Sequence, residues 1–285
     1  MKCKLVDVFA KQVLSGNGLT VFYDHDINDG NKMLALTQEM RQFESIFVAV
    51  NEETIRARIF TVEEELDFAG HPIIGLAAHL HDESGDEQAK QWKIALNKTV
   101  VTVNTQKTDH YFHASMAQGA PAFIHTLREN ETKKILEALN LSAENLSPDY
   151  PLEVISTGLP YLIVPITSGI EKARISHPDF ETLLATIQAK FVYVFDVINF
   201  EGRTWDNAGA VEDVATGSAA GPMAAYLTKH GLSSFNVPMT ISQGRFAGRP
   251  SEIEATVEAE NNVLVNIWVA GDVVKVADIN FVPCV

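Results

Sequence analysis

The sequence is poor in cysteine, in positive charge and in long apolar runs, and each shortage removes a class of function. Only two cysteines occur in 285 residues, Cys3 and Cys284, at opposite ends of the chain. They make neither a disulfide framework nor a metal knuckle, and both read as small apolar residues packed in terminal strands. Lys and Arg number 22 against 37 Asp and Glu, a formal charge of −15. Nucleic acid and anionic lipid are recognised by clustered cations, so neither is an expected partner. No apolar run approaches the ~20 residues of a membrane-spanning helix. Asp7 interrupts the N-terminal stretch Met1 to Phe9, which therefore lacks the core of a secretory signal. The expectation is a soluble, cytoplasmic protein.

Familiar site motifs are missing as well. The chain has no GxGxxG or P-loop pattern, which argues against a dinucleotide or nucleoside triphosphate site. No HExxH spacing links His71, His79 and His81, so no metal is expected. No GxSxG elbow is present, and Ser218 has no evident base.

What is present is enough apolar material, 46% of residues, for real cores. Short apolar runs read as strands at Leu5 to Phe9, Leu19 to Tyr23, Ser45 to Val50, Arg56 to Thr61 and Thr99 to Val103. The Asp24 to Asn31 turn separates two of them. Strands follow again at Glu153 to Ile155, Tyr161 to Ile166, Phe191 to Val197, Thr240 to Ser242, Ile253 to Val257 and Asn262 to Val269. Helical spacing marks Lys32 to Arg41, Glu131 to Asn140 and Phe180 to Lys190.

Two segments differ from this pattern. Gly70-His71-Pro72-Ile73-Ile74-Gly75-Leu76-Ala77-Ala78-His79-Leu80 follows a strand-like Glu65 to Ala69 and stays apolar nearly all round, as a buried helix does. The segment from Thr216 through Gly217 and Ser218 to Leu227 repeats it, with Gly70 over Gly217, Ala77 over Ala224, Ala78 over Ala225 and Leu80 over Leu227. A second echo sets Gly16 to Val21 against Gly158 to Ile163. The offsets, 147 and 142 residues, point to a duplicated unit of about half the chain. Each half is then a curved antiparallel sheet around one buried helix, with the switch near Ala114 to Pro121. The helix N-termini near His71 and Ser218 are expected to face one cleft. Free N–H groups and the helix dipole there suit a small carboxylate, and Gly70 and Gly217 permit close backbone approach.

Glu44 is the most informative carboxylate. Strand alternation places it on one face with Ile46, Val48 and Val50. If such a group is desolvated, its pKa rises into the range of a general acid/base. A strand-end glutamate in solvent is the alternative. The run Glu63-Glu64-Glu65 reads as a solvated turn, with Glu65 close enough in sequence to be tied into the site.

These segments, in this order, resemble the phenazine-biosynthesis (PhzF-like) isomerase family, within the diaminopimelate-epimerase-like fold. The resemblance spans the chain. It rests on Gly16-Asn17-Gly18, the Glu44 strand, Glu65 to Pro72, Gly158-Leu159-Pro160, Glu212 to Ala220, Gln243-Gly244 and Gly248 to Ser251. It implies an α+β fold of two similar domains, each a curved, mostly antiparallel sheet or barrel around a central helix. Residues 1–115 with about 273–285 form the first, and 116–272 the second. The last strand, near Val273 to Val282, returns to the first half.

The resemblance further implies that Glu44 is the acid/base and that Gly70, His71, Asp213, Gly217 and Ser218 line the substrate site. It implies a homodimer acting on a small carboxylate-bearing metabolite without metal or organic cofactor. In the phenazine enzyme a proton leaves one ring carbon of a dihydro-hydroxyanthranilate and returns at another. Ala69 and Val214 stand in the neighbourhoods where two-base epimerases of this fold carry cysteines, which disfavours thiol chemistry. Epimerase, racemase or lyase chemistry at a related acidic C–H, and a non-catalytic binding member of the fold, are the alternatives.

Overall fold

Runs rich in β-branched and aromatic residues fit a pleated, buried surface, and here they pair into ladders. The computed structural model describes residues 1–282 apart from 24, 25, 27, 52, 53 and 262. Cys284, Asn262, and three residues of the expected Asp24 to Asn31 turn lie outside them. The chain divides into two compact units, one of Met1–Ala117 with the chain from Ala270 onward, the other of Gln118–Val269.

Within the first unit, Lys2–Val8 pairs antiparallel with Asn17–Tyr23, which runs parallel to Glu44–Val50. Glu44–Val50 pairs antiparallel with Ile55–Thr61, which runs parallel to Lys90–Ala95, itself antiparallel to Val100–Lys107. Within the second unit the same succession recurs. Glu153–Ser156 is antiparallel to Pro160–Ile166, which is parallel to Phe191–Asp196. Phe191–Asp196 is antiparallel to Glu201–Arg203, which is parallel to Met239–Gln243, itself antiparallel to Ser251–Glu260. Five pairings in one order, antiparallel and parallel by turns, mark an internal duplication.

Each unit wraps its sheet around one helix. In the first, Gly70–Ser84 is buried at every residue from Gly70 to His81. In the second, Gly217–Lys229 is buried from Ala219 to Leu227 and packs on Glu153–Ser156, Pro160–Ile166 and Ser251–Glu260. Ile73, Ile74 and Leu76 are wholly buried; each such side chain stabilises the fold by about 1.5–3 kcal/mol relative to exposure. The helices therefore begin at Gly70 and Gly217, the two residues that the sequence echo superposes. No helix among the described residues is long and apolar enough to cross a membrane.

Several local expectations need correction. Helical spacing over Phe180 to Lys190 yields only Phe180–Ala185, because Gln188 adopts a left-handed φ of 62°. The strand expected at Glu65 to Ala69 is the short Glu65–Leu66. The last two expected strands are one, Val263–Asn280. Gly271 does not break it; the glycine is there because the Phe9 ring fills the space where a Cβ would stand, 2.3 Å away. Its later residues, from Val273, pair antiparallel with Lys2–Val8.

The turn echo separates two reasons for a glycine. Gly16 has a φ of +67°, and a Cβ on it would meet the Val8 carbonyl oxygen at 2.4 Å. Gly158 has a φ of +141° with no heavy atom within 4 Å of that point. Gly16→Ala incurs left-handed strain of roughly 1–2 kcal/mol and a forced backbone shift of roughly 1–3 kcal/mol. Gly158→Ala incurs backbone strain alone, about 1–3 kcal/mol. Urea unfolding should show the larger loss for Gly16→Ala; equal losses would mean that the Val8 contact relaxes freely.

Candidate functional site

Glu44 is the first residue of its strand, held between Leu19 on one side and Thr61 on the other. The apolar face that Glu44 shares with Ile46, Val48 and Val50 is buried only as far as Val48, and the opposite face is buried as well. Ile46 and Val48 are buried, but so are Ser45 and Phe47, while Val50 is 61% exposed. The strand is central and covered on both faces near Glu44, then emerges at its far end. Ser45 tolerates burial because its hydroxyl meets Thr20 Oγ1 at 2.6 Å.

His71 is the second residue of the Gly70–Ser84 helix. Its Nε2 lies 3.4 Å from Glu44 Oε2, with the side chains 7% and 19% exposed. Two effects compete at this imidazole. A carboxylate at that distance favours imidazolium; burial disfavours it. Burial dominates and lowers the His71 pKa to about 3, so the ring is neutral at ordinary pH. Its Nε2 has no hydrogen-bond partner among the described residues. A neutral ring does not lock Glu44 into an ion pair. Gly70 opens the helix behind an Ala69 cap whose side chain offers the first-turn N–H groups nothing.

Asp213, Gly217 and Ser218 come together in the second unit, around the start of the Gly217–Lys229 helix. The cap is Thr216. Pro222 is therefore the sixth helical residue, and it removes the N–H that would have reached the Ser218 carbonyl. Thr216 does not cap with its side chain; its hydroxyl donates to Asp213 Oδ2 at 2.5 Å. The Ala219 and Ala220 N–H groups bond the Thr216 carbonyl, leaving those of Gly217 and Ser218 ahead of the ladder. Ser218 Oγ lies 2.8 Å from the Tyr161 hydroxyl. Gln118 Nε2 donates to the Gly217 carbonyl at 2.9 Å, and Thr157 Oγ1 donates to Gln118 Oε1 at 2.8 Å. Backbone donors at the positive end of a helix, beside a carboxylate acceptor, can receive an anion and a hydrogen-bond donor respectively.

Glu65 is not a solvated turn residue. Arg58 grips it with two hydrogen bonds, Nε to Oε1 at 2.8 Å and Nη2 to Oε2 at 2.6 Å, and Asn97 adds a third at 2.6 Å. The Arg58 hydrogen bonds hold its carboxyl below the usual range. The second unit repeats this clamp. Arg203 donates to Glu212 at 2.9 and 2.6 Å, again through Nε and Nη2. Arg58 and Arg203 stand on corresponding strands, and each glutamate precedes its helix glycine by five residues. Forked guanidinium–carboxylate pairing fixes orientation as well as position, so each clamp ties a helix entry to its sheet. The equal Glu-to-Gly spacing was the signal for this pair; nothing in the sequence singled out the two arginines.

Cys3 is buried among Phe22, Met33, Phe47 and Phe60, and burial pushes its thiol up to about 12. It is a packing residue, not a base.

The sequence matches the phenazine biosynthesis-like protein family over residues 6–278. It is 32% identical over 276 residues to the trans-2,3-dihydro-3-hydroxyanthranilate isomerase of Pseudomonas fluorescens, covering 94% of each chain. A solved structure described as a predicted epimerase from Pseudomonas aeruginosa superposes with a TM-score of 0.92 at 43% identity, over 99% of each chain. A probable proline racemase from Agrobacterium radiobacter shares the fold at 13% identity and a TM-score of 0.66, over 99% of this chain and 93% of its own. The architecture is the diaminopimelate-epimerase-like α+β fold.

The buried neutral His71 has a consequence for stability. Its pKa is about 3 in the folded protein against about 6.5 when unfolded. Between those values the unfolded chain binds more protons, so stability falls as pH falls. The His71 contribution is intact above about pH 6.5 and declines by up to about 1.4 kcal/mol per pH unit toward pH 3. Denaturation across pH 4 to 7 should show a shallower acid slope for His71→Gln than for wild type. Equal slopes would mean that the ring takes up its proton without unfolding.

Proposed function

This chain belongs to the phenazine biosynthesis-like family and is an isomerase of the PhzF type, and from that premise we propose that Glu44 moves a proton on a small carboxylate-bearing metabolite. The observation that carries the proposal is the 3.4 Å approach of Glu44 to a His71 that burial keeps neutral. An imidazolium there would hold Glu44 as its counter-ion. A neutral ring leaves the carboxylate able to take a proton from an acidic C–H. The C–H electron pair passes into the substrate's conjugated system, and the new carboxylic acid returns the proton at another carbon. One group that accepts and then donates is sufficient for this exchange.

His71 and Asp213 orient polar groups of the substrate in this proposal. The N–H groups of Gly217 and Ser218 receive its carboxylate, as their place ahead of the helix ladder suits. The first substrate to try is trans-2,3-dihydro-3-hydroxyanthranilate, on which the Pseudomonas fluorescens relative acts by name. A homodimer, which the family resemblance implies, and a cytoplasmic setting, expected from the sequence, belong to the same proposal.

The test begins with solvent deuterium. Wild-type protein in D2O should label that substrate at a carbon and shift its double bonds. Label appearing with inversion at one carbon would instead identify an epimerase, and no label would identify a binder. Glu44→Gln retains shape and hydrogen bonding but cannot carry the proton, so turnover should fall by ~10²–10⁴-fold. Ligand affinity should change far less. Near wild-type turnover in the variant would make Glu44 structural.

The proposed mechanism needs no metal. Turnover should survive exhaustive chelation and thiol alkylation of the purified protein. Loss on chelation, restored by a divalent ion, would replace the glutamate-only scheme.

A further inference from the structure

Gln243 belongs to a motif that the proton-transfer scheme does not use, yet it makes the most complete set of polar contacts near the second helix start. It lies at the end of the Met239–Gln243 strand and is 1% exposed. Its Nε2 donates to the Asp213 carbonyl oxygen at 2.8 Å and to Thr216 Oγ1 at 2.9 Å. Its Oε1 accepts from the Thr216 N–H at 3.2 Å and from the Tyr193 hydroxyl at 3.0 Å. A primary amide has two N–H donors and two acceptor sites, and all four are used. The orientation of the amide follows from its partners, because a backbone N–H can only donate and a carbonyl can only accept.

That orientation sets a direction for the chain of bonds. Thr216 Oγ1 accepts from Gln243, so its own proton is available for Asp213 Oδ2 at 2.5 Å. Tyr193 is wholly buried, and burial raises its hydroxyl pKa, keeping it a neutral donor at the head of the chain. Asp213 is thereby supplied with a proton donor and its carboxylate is aimed. The Asp213 carbonyl and the Thr216 N–H, which bracket the turn into the helix, are tied to one side chain. The Thr216 side chain does not cap the helix; within the turn, the Ala215 N–H donates to Asp213 Oδ1 at 3.4 Å.

We propose that Gln243 is a positioning residue, acting through Thr216 to hold Asp213 and the leading N–H groups of the Gly217–Lys229 helix in the geometry that receives substrate. The proposal rests on the substrate-binding roles given above to Asp213, Gly217 and Ser218. It adds that their geometry is imposed from the neighbouring strand rather than by the helix itself. Partly satisfied buried polar networks lose more than the sum of their single bonds, and small misplacements of a binding group can cost as much as 10²-fold.

The experiment compares Gln243→Met, Thr216→Val and Thr216→Ser with wild type, using trans-2,3-dihydro-3-hydroxyanthranilate for kinetics and amide hydrogen exchange over residues 213–219. Gln243→Met keeps the length and removes all four bonds. It should accelerate exchange in that segment and lower kcat/KM by roughly 10- to 100-fold, mostly through KM, because Glu44 is untouched. Thr216→Val should act alike, and Thr216→Ser should recover most of the loss because it keeps the hydroxyl. Wild-type exchange in Gln243→Met, or a loss confined to kcat, would overturn the proposal. Should Gln243→Met fail to fold, the Thr216→Val and Thr216→Ser pair decides by the same criteria. If wild type does not turn over this substrate, the assigned activity is wrong for it, and the exchange comparison alone decides the role of Gln243.

Discussion

A helix with no polar face cannot lie on a surface, and that constraint organises both units of this protein. Gly70–Ser84 and Gly217–Lys229 are apolar nearly all round, so each must be covered by sheet on every side. The repeated order of antiparallel and parallel pairings is one solution to that requirement, used twice. It also determines what happens at the helix starts. Buried first-turn N–H groups need partners, and neither Ala69 nor Thr216 supplies one from its side chain. The position after each opening glycine carries a polar side chain, His71 in one unit and Ser218 in the other.

Those corresponding positions have diverged in chemistry while their supports remain alike. Arg58–Glu65 and Arg203–Glu212 are the same forked clamp at the same place in each repeat. Beyond the clamp, the units part. In the first, a histidine meets the carboxylate of Glu44, and desolvation outweighs attraction, so the pair is not an ion pair at ordinary pH. In the second, hydroxyls and amides replace the histidine, and the Asp213 carboxylate is satisfied by Thr216. One helix start carries a neutral ring beside a carboxyl group, the other backbone donors beside hydroxyls. Duplication supplied the scaffold, and substitution at a few buried polar positions supplied the chemical difference.

The buried amide of Gln243 shows why such positions are demanding. Every donor and acceptor on it is matched within one unit, and the match specifies a single orientation. An apolar residue of equal size would fill the volume but would leave the Asp213 carbonyl, the Thr216 N–H and the Tyr193 hydroxyl to find other partners, each at a cost of about 1–3 kcal/mol if buried unmet. Specific geometry at the helix entry is therefore linked to the satisfaction of the core.

The amino-acid sequence by itself determined which segments must be buried and where the two helices begin. All-round apolarity and the Gly70/Gly217 echo are local properties, readable without contacts, and the main strand runs were legible from composition and turn residues for the same reason. Its residues also brought Glu44, His71, Asp213, Gly217 and Ser218 to notice. Only the tertiary structure decided how polar groups are matched. Glu65 looked like a solvated turn because Arg58 lies outside its local pattern. The part played by Thr216 was not legible because the strand amide that engages it is 27 residues further on. Alternation groups Val50 with Glu44, Ile46 and Val48, but does not tell where the strand leaves the core; a central strand is covered on both faces until it does. Burial and periodicity are encoded along the chain; hydrogen-bond partners and the balance of desolvation against charge depend on groups that only folding brings within 3 Å or so.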